Sequence, residues 1–407
     1  MSGLTTSRQI APRRSTGVVR GNNLDVVRQH NLSVVLEIVH TERSASRAAL
    51  TRATGLNRST VAALVAELVQ LDLVRESEPD ATNQVGRPSL IIEPSEHLVA
   101  IAVYPELDAV TIALVGLGQR VQRRVRYDNV RVPSVREFVN IVSAVISGMR
   151  DELDSSFRVA GIGLAVPGLV GVRDGVVSLS PQLDWRDEPI AQLLQDATGY
   201  PVWAANDASV GAIAESRFGV GREIDDLIYL NGGASGIGGG VISGGTLLGG
   251  ASGFAGELGH TLVNSNGVRC HCGATGCLET EVDRAPLLAA LGLRPDESSR
   301  LEDALVAAYA GAPSAGLTAI VDSQLTYLGI ALSQFVNLFN PRTVVLGGFL
   351  GALYAVAGDR LDADVRARAM VGSRDTVEIT RPSLGDDLMM IGAAELALAA
   401  ILADPAG

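Results

Sequence analysis

The sequence predicts an α/β protein in which a small helical head with a β-hairpin precedes two α/β lobes, on three observations. Residues 24–71 carry three apolar stripes at helical spacing, followed by a polar, turn-prone stretch. From residue 96 onward, strand-like and helix-like runs alternate in two sets with similar beginnings. The composition, 47% hydrophobic but 4% aromatic with 45 glycines among 407 residues, builds cores from Ala, Val and Leu and joins them through short turns. At ~100 to 200 residues per domain the length allows two to four units.

The first helix is expected over 24–40, where Val27, Leu32, Val35, Leu36 and Val39 share a face. Ser46 can cap a second helix carrying Ala49, Leu50 and Ala53, which stops at Gly55 because glycine tolerates the left-handed conformation beyond a helix end. Asn57 can cap a third, with Val61, Leu64, Val65, Leu68 and Leu71 on its buried stripe. Two short helices joined by Thr54-Gly55-Leu56 form a helix-turn-helix, which would offer Asn57, Arg58, Ser59 and Thr60 to base edges and phosphates. After Leu73-Val74 a polar stretch returns through Val85-Gly86-Arg87-Pro88 to Leu90-Ile91-Ile92, a hairpin wing on which Arg87 could reach a minor groove or phosphate. The alternative for this segment is a three-helix protein-interaction module; the absence of acids at the start of the third helix argues against it.

Charge agrees. Residues 1–75 carry ten Arg against five acids, whereas the whole chain stands at −12. The N-terminal segment alone suits a polyanion. All 33 basic residues are Arg, a bias from which no function is drawn.

The body begins with strands expected over 98–103, 110–115 and 121–127, a helix over 135–149 and a buried strand over 159–166. A second set runs from a strand over 227–230 through the glycine-punctuated 236–243 to a helix over 317–339 and a strand over 343–346. Two such lobes leave a cleft between them.

All three cysteines, Cys270, Cys272 and Cys277, fall within eight positions, ten residues after His260. This spacing can close a tetrahedral Cys3His zinc site, and four protein ligands make such a zinc structural. Glu257 and Glu279 flank the ligands and can hydrogen-bond a polar molecule beside the metal. A disulfide with an odd thiol is the plainer reading, but it requires a secreted chain. The N-terminus instead sets Arg8, Arg13, Arg14 and Arg20 among polar residues without an apolar signal segment, and no apolar run approaches the ~20 residues that span a bilayer. A cytoplasmic protein with reduced thiols is expected.

Gly253-Phe254-Ala255-Gly256-Glu257-Leu258-Gly259-His260, together with the Cys-x-Cys-Gly-x-x-Gly-Cys-x-Glu element, resembles the ROK family of bacterial repressors and sugar kinases. Supporting matches are Gly161-Ile162-Gly163-Leu164-Ala165-Val166-Pro167-Gly168, Trp185 before a helix, and Ala205-Asn206-Asp207-Ala208. The resemblance covers the chain from about residue 22 to its end. It implies a winged helix-turn-helix head on a two-lobed body of the actin and hexokinase, ribonuclease H-like, type. It places zinc on His260, Cys270, Cys272 and Cys277, and sugar contacts on Asn206, Asp207, Glu257, His260 and Glu279. Carboxylates, an amide and an imidazole suit hydroxyls that both donate and accept, and His260 can turn one ring nitrogen to zinc and the other to a hydroxyl. Taken alone, Asn206-Asp207 reads equally as the cap of the following helix. The implied organisation is a disordered arm over 1–21, the head over 22–95, a first lobe over 96–215 rejoined by a C-terminal helix over 388–404, and a second lobe with the zinc loop over 216–387.

In kinases of this family Asp207 would be the general base, and a D-x-G-G-T turn near the start of the first lobe would cradle phosphate. Here Tyr104-Pro105-Glu106-Leu107-Asp108 stands in its place. Pro105 has no amide proton, and Glu106 and Asp108 add negative charge beside an anion. The second loop, Ala234-Ser235-Gly236-Ile237-Gly238-Gly239-Gly240, is better preserved, as is the turn Leu346-Gly347-Gly348, though a glycine-rich loop can be only a tight turn. The expectation is a regulator, most often a repressor, without catalysis. It would bind operator DNA and a sugar or sugar-phosphate effector as a homodimer or homotetramer, with no membrane association. A sugar kinase bearing a DNA-binding head and a body that binds a partner protein are the alternatives.

Overall fold

The computed structural model describes residues 24–78 and 90–407. The arm expected over 1–21 and Arg87 of the wing lie outside the described residues. The head consists of α1 (Leu24–Glu42), β1 (Ala45–Ser46), α2 (Arg47–Thr54), α3 (Arg58–Gln70), β2 (Val74–Ser77) and β3 (Ile91–Pro94). Both expected caps form: Ser46 accepts from the Ala49 amide, Asn57 from the Thr60 amide, and Gly55 ends α2 at φ 69°. The strands pair antiparallel in the order β1-β3-β2.

The body follows with β4 (Leu98–Pro105), β5 (Ala109–Gly116), β6 (Arg120–Asp128), α4 (Val135–Gly148), α5 (Arg150–Ser156) and β7 (Arg158–Val166). Next come β8 (Leu169–Val170), β9 (Val177–Ser180), β10 (Trp185–Glu188), α6 (Ile190–Thr198), β11 (Val202–Asn206) and α7 (Asp207–Phe218). The main sheet has the order β11-β7-β4-β5-β6, antiparallel through β6-β5-β4 and parallel from β4 through β7 to β11. The expected β-β-β-α-β run is therefore present, and the small sheet β10-β9-β8 is an addition the sequence did not announce.

The second set repeats the plan. β12 (Leu227–Gly233), β13 (Gly236–Ser243), β14 (Thr246–Leu247), α8 (Leu278–Glu281), α9 (Arg284–Ala290), α10 (Leu301–Ala310), α11 (Ala315–Phe339), β15 (Thr343–Gly348), α12 (Phe349–Arg368) and β16 (Glu378–Thr380) surround a sheet of order β14-β13-β12-β15-β16. It too is antiparallel through its first three strands and parallel beyond. By length and composition α11 is apolar enough to cross a membrane. Its Leu317, Val321, Leu325, Leu328, Leu332 and Phe335 instead lie in the core against α12 and the sheet.

The last helix, α13 (Leu388–Ala403), returns to the first sheet and packs on β4, β7 and β11 and on α7. Sequence explains the closeness: Ala100, Ala102 and Ala113 face α13, while the bulkier Ile101, Val103 and Ile112 face α4. A Cβ on Gly163 would stand 1.7 Å from the Ala393 carbonyl oxygen, so no side chain fits there.

The head is not a bead on a linker. Leu32, Val35, Leu36 and Val39 of α1 belong to the same buried cluster as Leu98 of β4 and Ala394, Leu398 and Leu402 of α13. Burying such side chains contributes about 1.5–3 kcal/mol each, which fixes the head to the body through one continuous apolar seam.

Candidate ligand and metal site

Segments from both sets of elements meet at a small polar pocket. β11 runs directly into α7, bringing Asn206 and Asp207 to the helix N-terminus. The β12–β13 hairpin supplies Asn231, Ser235 and Gly236; the short turn of helix at Leu258–His260 carries His260, with Glu257 immediately before it; α8 supplies Glu279. All five sugar-site residues expected from the sequence, Asn206, Asp207, Glu257, His260 and Glu279, line this one pocket, with His271 and Gln182, which the sequence reading missed. His271 was findable, since it sits between two of the cysteines.

Asn206 turns out to be a cap as well. Its Oδ1 accepts from the Ala208 and Ser209 amides at 2.9 and 3.1 Å, and its Nδ2 donates to the Gly168 carbonyl at 2.9 Å. One amide hydrogen is left for a ligand. Asp207 is buried; its Oδ1 accepts from the Ala208 amide, and Oδ2 is 3.5 Å from the Tyr104 hydroxyl. Burial lifts its carboxyl to about 6, against the pull of the amide and the Tyr104 hydroxyl. Burial, and then Asp207 and Glu279, lift Glu257 to about 7. Gly236, at φ 117°, is required beside them, because a Cβ there would stand 2.4 Å from Glu279 Oε2.

The cysteine loop adjoins this pocket. His260, Cys270, Cys272 and Cys277 bring their donor atoms within 4.8 Å of one another. The Cys272 and Cys277 sulfurs are 3.6 Å apart, and Cys270 Sγ is 3.6 Å from His260 Nδ1. Zn–S of about 2.3 Å and Zn–N of about 2.0 Å give tetrahedral edges of about 3.8 Å between sulfurs and about 3.5 Å between sulfur and nitrogen, so the donor set fits zinc. Burial pushes the Cys270 and Cys277 thiols up, whereas the Ala274 amide lowers Cys272. A divalent cation between the sulfurs is what would let all three ionise. His260, Cys270, His271 and Glu279 form an overlapping set, but three thiolates are the softer and closer match to zinc. With Nδ1 directed to the sulfurs, His260 Nε2 is left facing Glu257 Oε2 at 3.9 Å.

Next to the pocket, the turn after β4 has lost the features of a phosphate cradle. The Glu106 amide donates back to the Ala109 carbonyl at 2.7 Å, and Pro105 has no donor. Arg126 is held by Glu106, Asp108 and Asp128 at 3.0, 2.9 and 2.9 Å. Burial raises Glu106 despite that guanidinium.

The ROK family model matches residues 107–400. The chain belongs to the ROK family. The xylose repressor of Bacillus subtilis is 28% identical over 375 residues, covering 91% of this chain and 96% of its own. The glucokinase of Halalkalibacterium halodurans is 31% identical over 270 residues, covering 62% of this chain and 80% of its own. The crystal structure of a ROK family transcriptional regulator, a homologue of the Escherichia coli MLC protein, superposes with a TM-score of 0.74 at 24% identity, covering 93% of this chain and 97% of that one. That structure shows the fold of head and body together. Within this ROK chain, the expected DNA-facing residues Asn57, Arg58 and Ser59 are exposed and Thr60 half-buried at the start of α3. Asn57 is spent on its cap, and Ser59 Oγ donates to Asn57 Oδ1 at 2.7 Å, which leaves Arg58, without a carboxylate partner among the described residues, as the cation of the four.

Proposed function

We propose that the protein is a sugar-responsive DNA-binding regulator, a repressor whose kinase-like body serves as ligand sensor. The observation that carries this is the extent of similarity: the repressor relative matches head and body over 91% of the chain, the glucokinase over 62%. The altered turn at Tyr104 to Asp108 supports it, because phosphoryl transfer rests on positioned donors around the phosphates.

In this reading α2 and α3 are the helix-turn-helix, β2 and β3 the wing, and Arg58 with Arg87 the main DNA contacts. Asp207, Glu257, Glu279 and His260 accept and donate to sugar hydroxyls, and Asn206 gives its remaining amide hydrogen. His260, Cys270, Cys272 and Cys277 hold a structural zinc, which would fix the imidazole facing the sugar. Cytoplasmic location and a homodimer or homotetramer, setting two heads on successive major grooves, complete the proposal.

Sugar binding reaches the head through α7. Asp207 starts this helix and Arg217 lies in its last turn, about 15 Å away at the ~1.5 Å rise per residue of a helix. Arg217 bonds Glu395 of α13 at 2.7 Å and Glu37 of α1 at 3.3 Å. A change in lobe angle that moves α7 therefore moves the base of α1. Coupling of ~1–3 kcal/mol is enough for measurable induction.

The test is a gel-shift titration against DNA upstream of its own gene and of neighbouring transport genes, with a panel of free and phosphorylated sugars. Release of specific binding by one sugar, lost in Glu257→Gln with DNA affinity unchanged, is the expected result. Release undiminished in that variant removes Glu257 from the site. A second reading, a sugar kinase with a DNA-binding head, is favoured by one observation: a carboxyl lifted to about 6 at Asp207 is poised as a general base. ADP release with the same sugar panel would establish it.

A further inference from the structure

The polar pocket does not end at its own walls. It encloses only about 60 Å³, and four of its residues, Pro167, Gln182, Asn231 and Ser235, also line a cavity of about 880 Å³ between the two sheets. A molecule seated on Glu257, Asp207 and Glu279 thus has an open route past Tyr104 into a space within the ~300–1,000 Å³ range of ligand sites.

The walls of that space say what it does not take. Glu106, Asp108, Asp296, Glu302 and Asp386 line it against Arg124, Arg126 and Arg284. Arg126 is already held by three carboxylates and Arg124 by Asp387, while Asp296 and Glu302 are themselves paired with Arg294 and Arg381. Among the described residues only Arg284 of the three has no carboxylate partner. The turn after β4 offers no free amide at Pro105 or Glu106. At the turn after β4 a phosphate dianion would therefore meet the carboxylates of Glu106 and Asp108 with no free amide to receive it. Leu183, Leu301, Phe349, Ala352 and Met390 give the same cavity apolar walls, which suit the faces of a sugar ring or an aromatic group.

We propose that the effector is an uncharged glycoside, one sugar ring in the polar pocket and its substituent, a second sugar or an apolar aglycone, in the interlobe cavity, and that phosphorylated sugars are rejected. This rests on the sugar-sensor reading above and gives it a ligand class.

The test is calorimetric titration of the full-length, zinc-loaded protein with matched probes: glucose, xylose, galactose and N-acetylglucosamine, their disaccharides and phenyl glycosides, and the 6-phosphates of the hexoses. One glycoside is expected to bind at least about tenfold tighter than its parent monosaccharide, a difference of about 1.4 kcal/mol, with no binding of any 6-phosphate. Ser299→Trp, at an exposed position lining the cavity but outside the polar pocket, should bring the glycoside down to the affinity of the monosaccharide and leave the latter unchanged. A monosaccharide that binds as tightly as all its glycosides, or a 6-phosphate that binds more tightly, overturns the proposal and leaves the sugar sensor standing. No binding by any probe overturns both.

Discussion

Glu395 Oε1 and His40 Nε2, 355 positions apart in the chain, lie 3.0 Å from each other in the interior. The Gly118 amide donates to His40 Nδ1 at 2.9 Å, so the ring is the neutral tautomer with its proton on Nε2, donated to Glu395. The other carboxylate oxygen takes Arg217 at 2.7 Å. Burial works against the Glu395 charge, but His40 and Arg217 outweigh it and hold the carboxyl below its ordinary value. One carboxylate thus ties α1, α7 and α13 together. Truncation by Glu395→Ala should cost about 1–3 kcal/mol, the scale of leaving a buried donor such as His40 Nε2–H without its acceptor. The isosteric Glu395→Gln should fold, bind sugar and bind DNA, yet lose most of the sugar-induced change in DNA affinity. Parallel titrations of DNA with and without sugar measure that change; full induction in the Gln variant would mean the signal travels elsewhere.

Asp207 should make the protein less stable as pH rises. Its folded value, about 6, lies above the ordinary 3.8, so the native state holds the proton more tightly than the unfolded chain. The stability this confers is complete below about pH 4 and is lost as pH climbs to about 6, amounting to about 3 kcal/mol at 1.36 kcal/mol per unit. Asp207→Asn should accordingly unfold at higher urea than the parent at pH 8, with a smaller gap at pH 5. An equal gap at both values would show that the carboxyl is not buried as described.

Removing the proposed zinc should loosen the proposed sugar pocket before it unfolds the chain. Elemental analysis should find one equivalent of zinc in the parent and none in Cys272→Ser, at the exposed corner of the cluster. The substitution should lower the melting temperature and weaken sugar affinity about 10–100-fold, the usual cost of disturbing the groups that orient a site. DNA affinity without sugar should be unchanged, since the loop lies in the body.

Arg58→Ala should weaken DNA binding about equally for all sequences and reduce the salt slope by about 0.9, as expected for one phosphate contact. Asn57→Ala acts differently. It removes the cap of α3, costs about 1 kcal/mol of stability, and its loss of DNA affinity should recover on cooling, which comparison of binding at two temperatures would reveal.

What could be read from the sequence was local. The stripe Val61, Leu64, Val65 and Leu68, the caps at Ser46 and Asn57, and the glycine at 55 fix α2 and α3 within one turn of each residue, and the cysteine spacing points to the His260, Cys270, Cys272 and Cys277 cluster for the same reason. The strands β8, β9 and β10 were not legible because two to four residues carry no usable alternation. Asn206 was open between cap and ligand contact, and its hydrogen bonds show the cap. Tyr104 was noticed as a break in the phosphate turn but not as the partner of Asp207, because that contact joins a strand and a helix start 103 positions apart. Glu395, the one acid of the apolar α13, was not singled out from the sequence, and nothing there named His40 as its partner.

The seam between α1 and α13 also limits how far this head can be exchanged. Chimeric regulators are made by cutting between a DNA-reading segment and a sensing body, on the premise that the two are portable parts. Here a cut near residue 95 would strand His40 without its acceptor and expose Leu36 and Val39 to a foreign surface. A working hybrid would have to carry α13 and the Leu117–Gln119 turn along with the head, or graft only the exposed start of α3 onto a relative that already has its own matched seam.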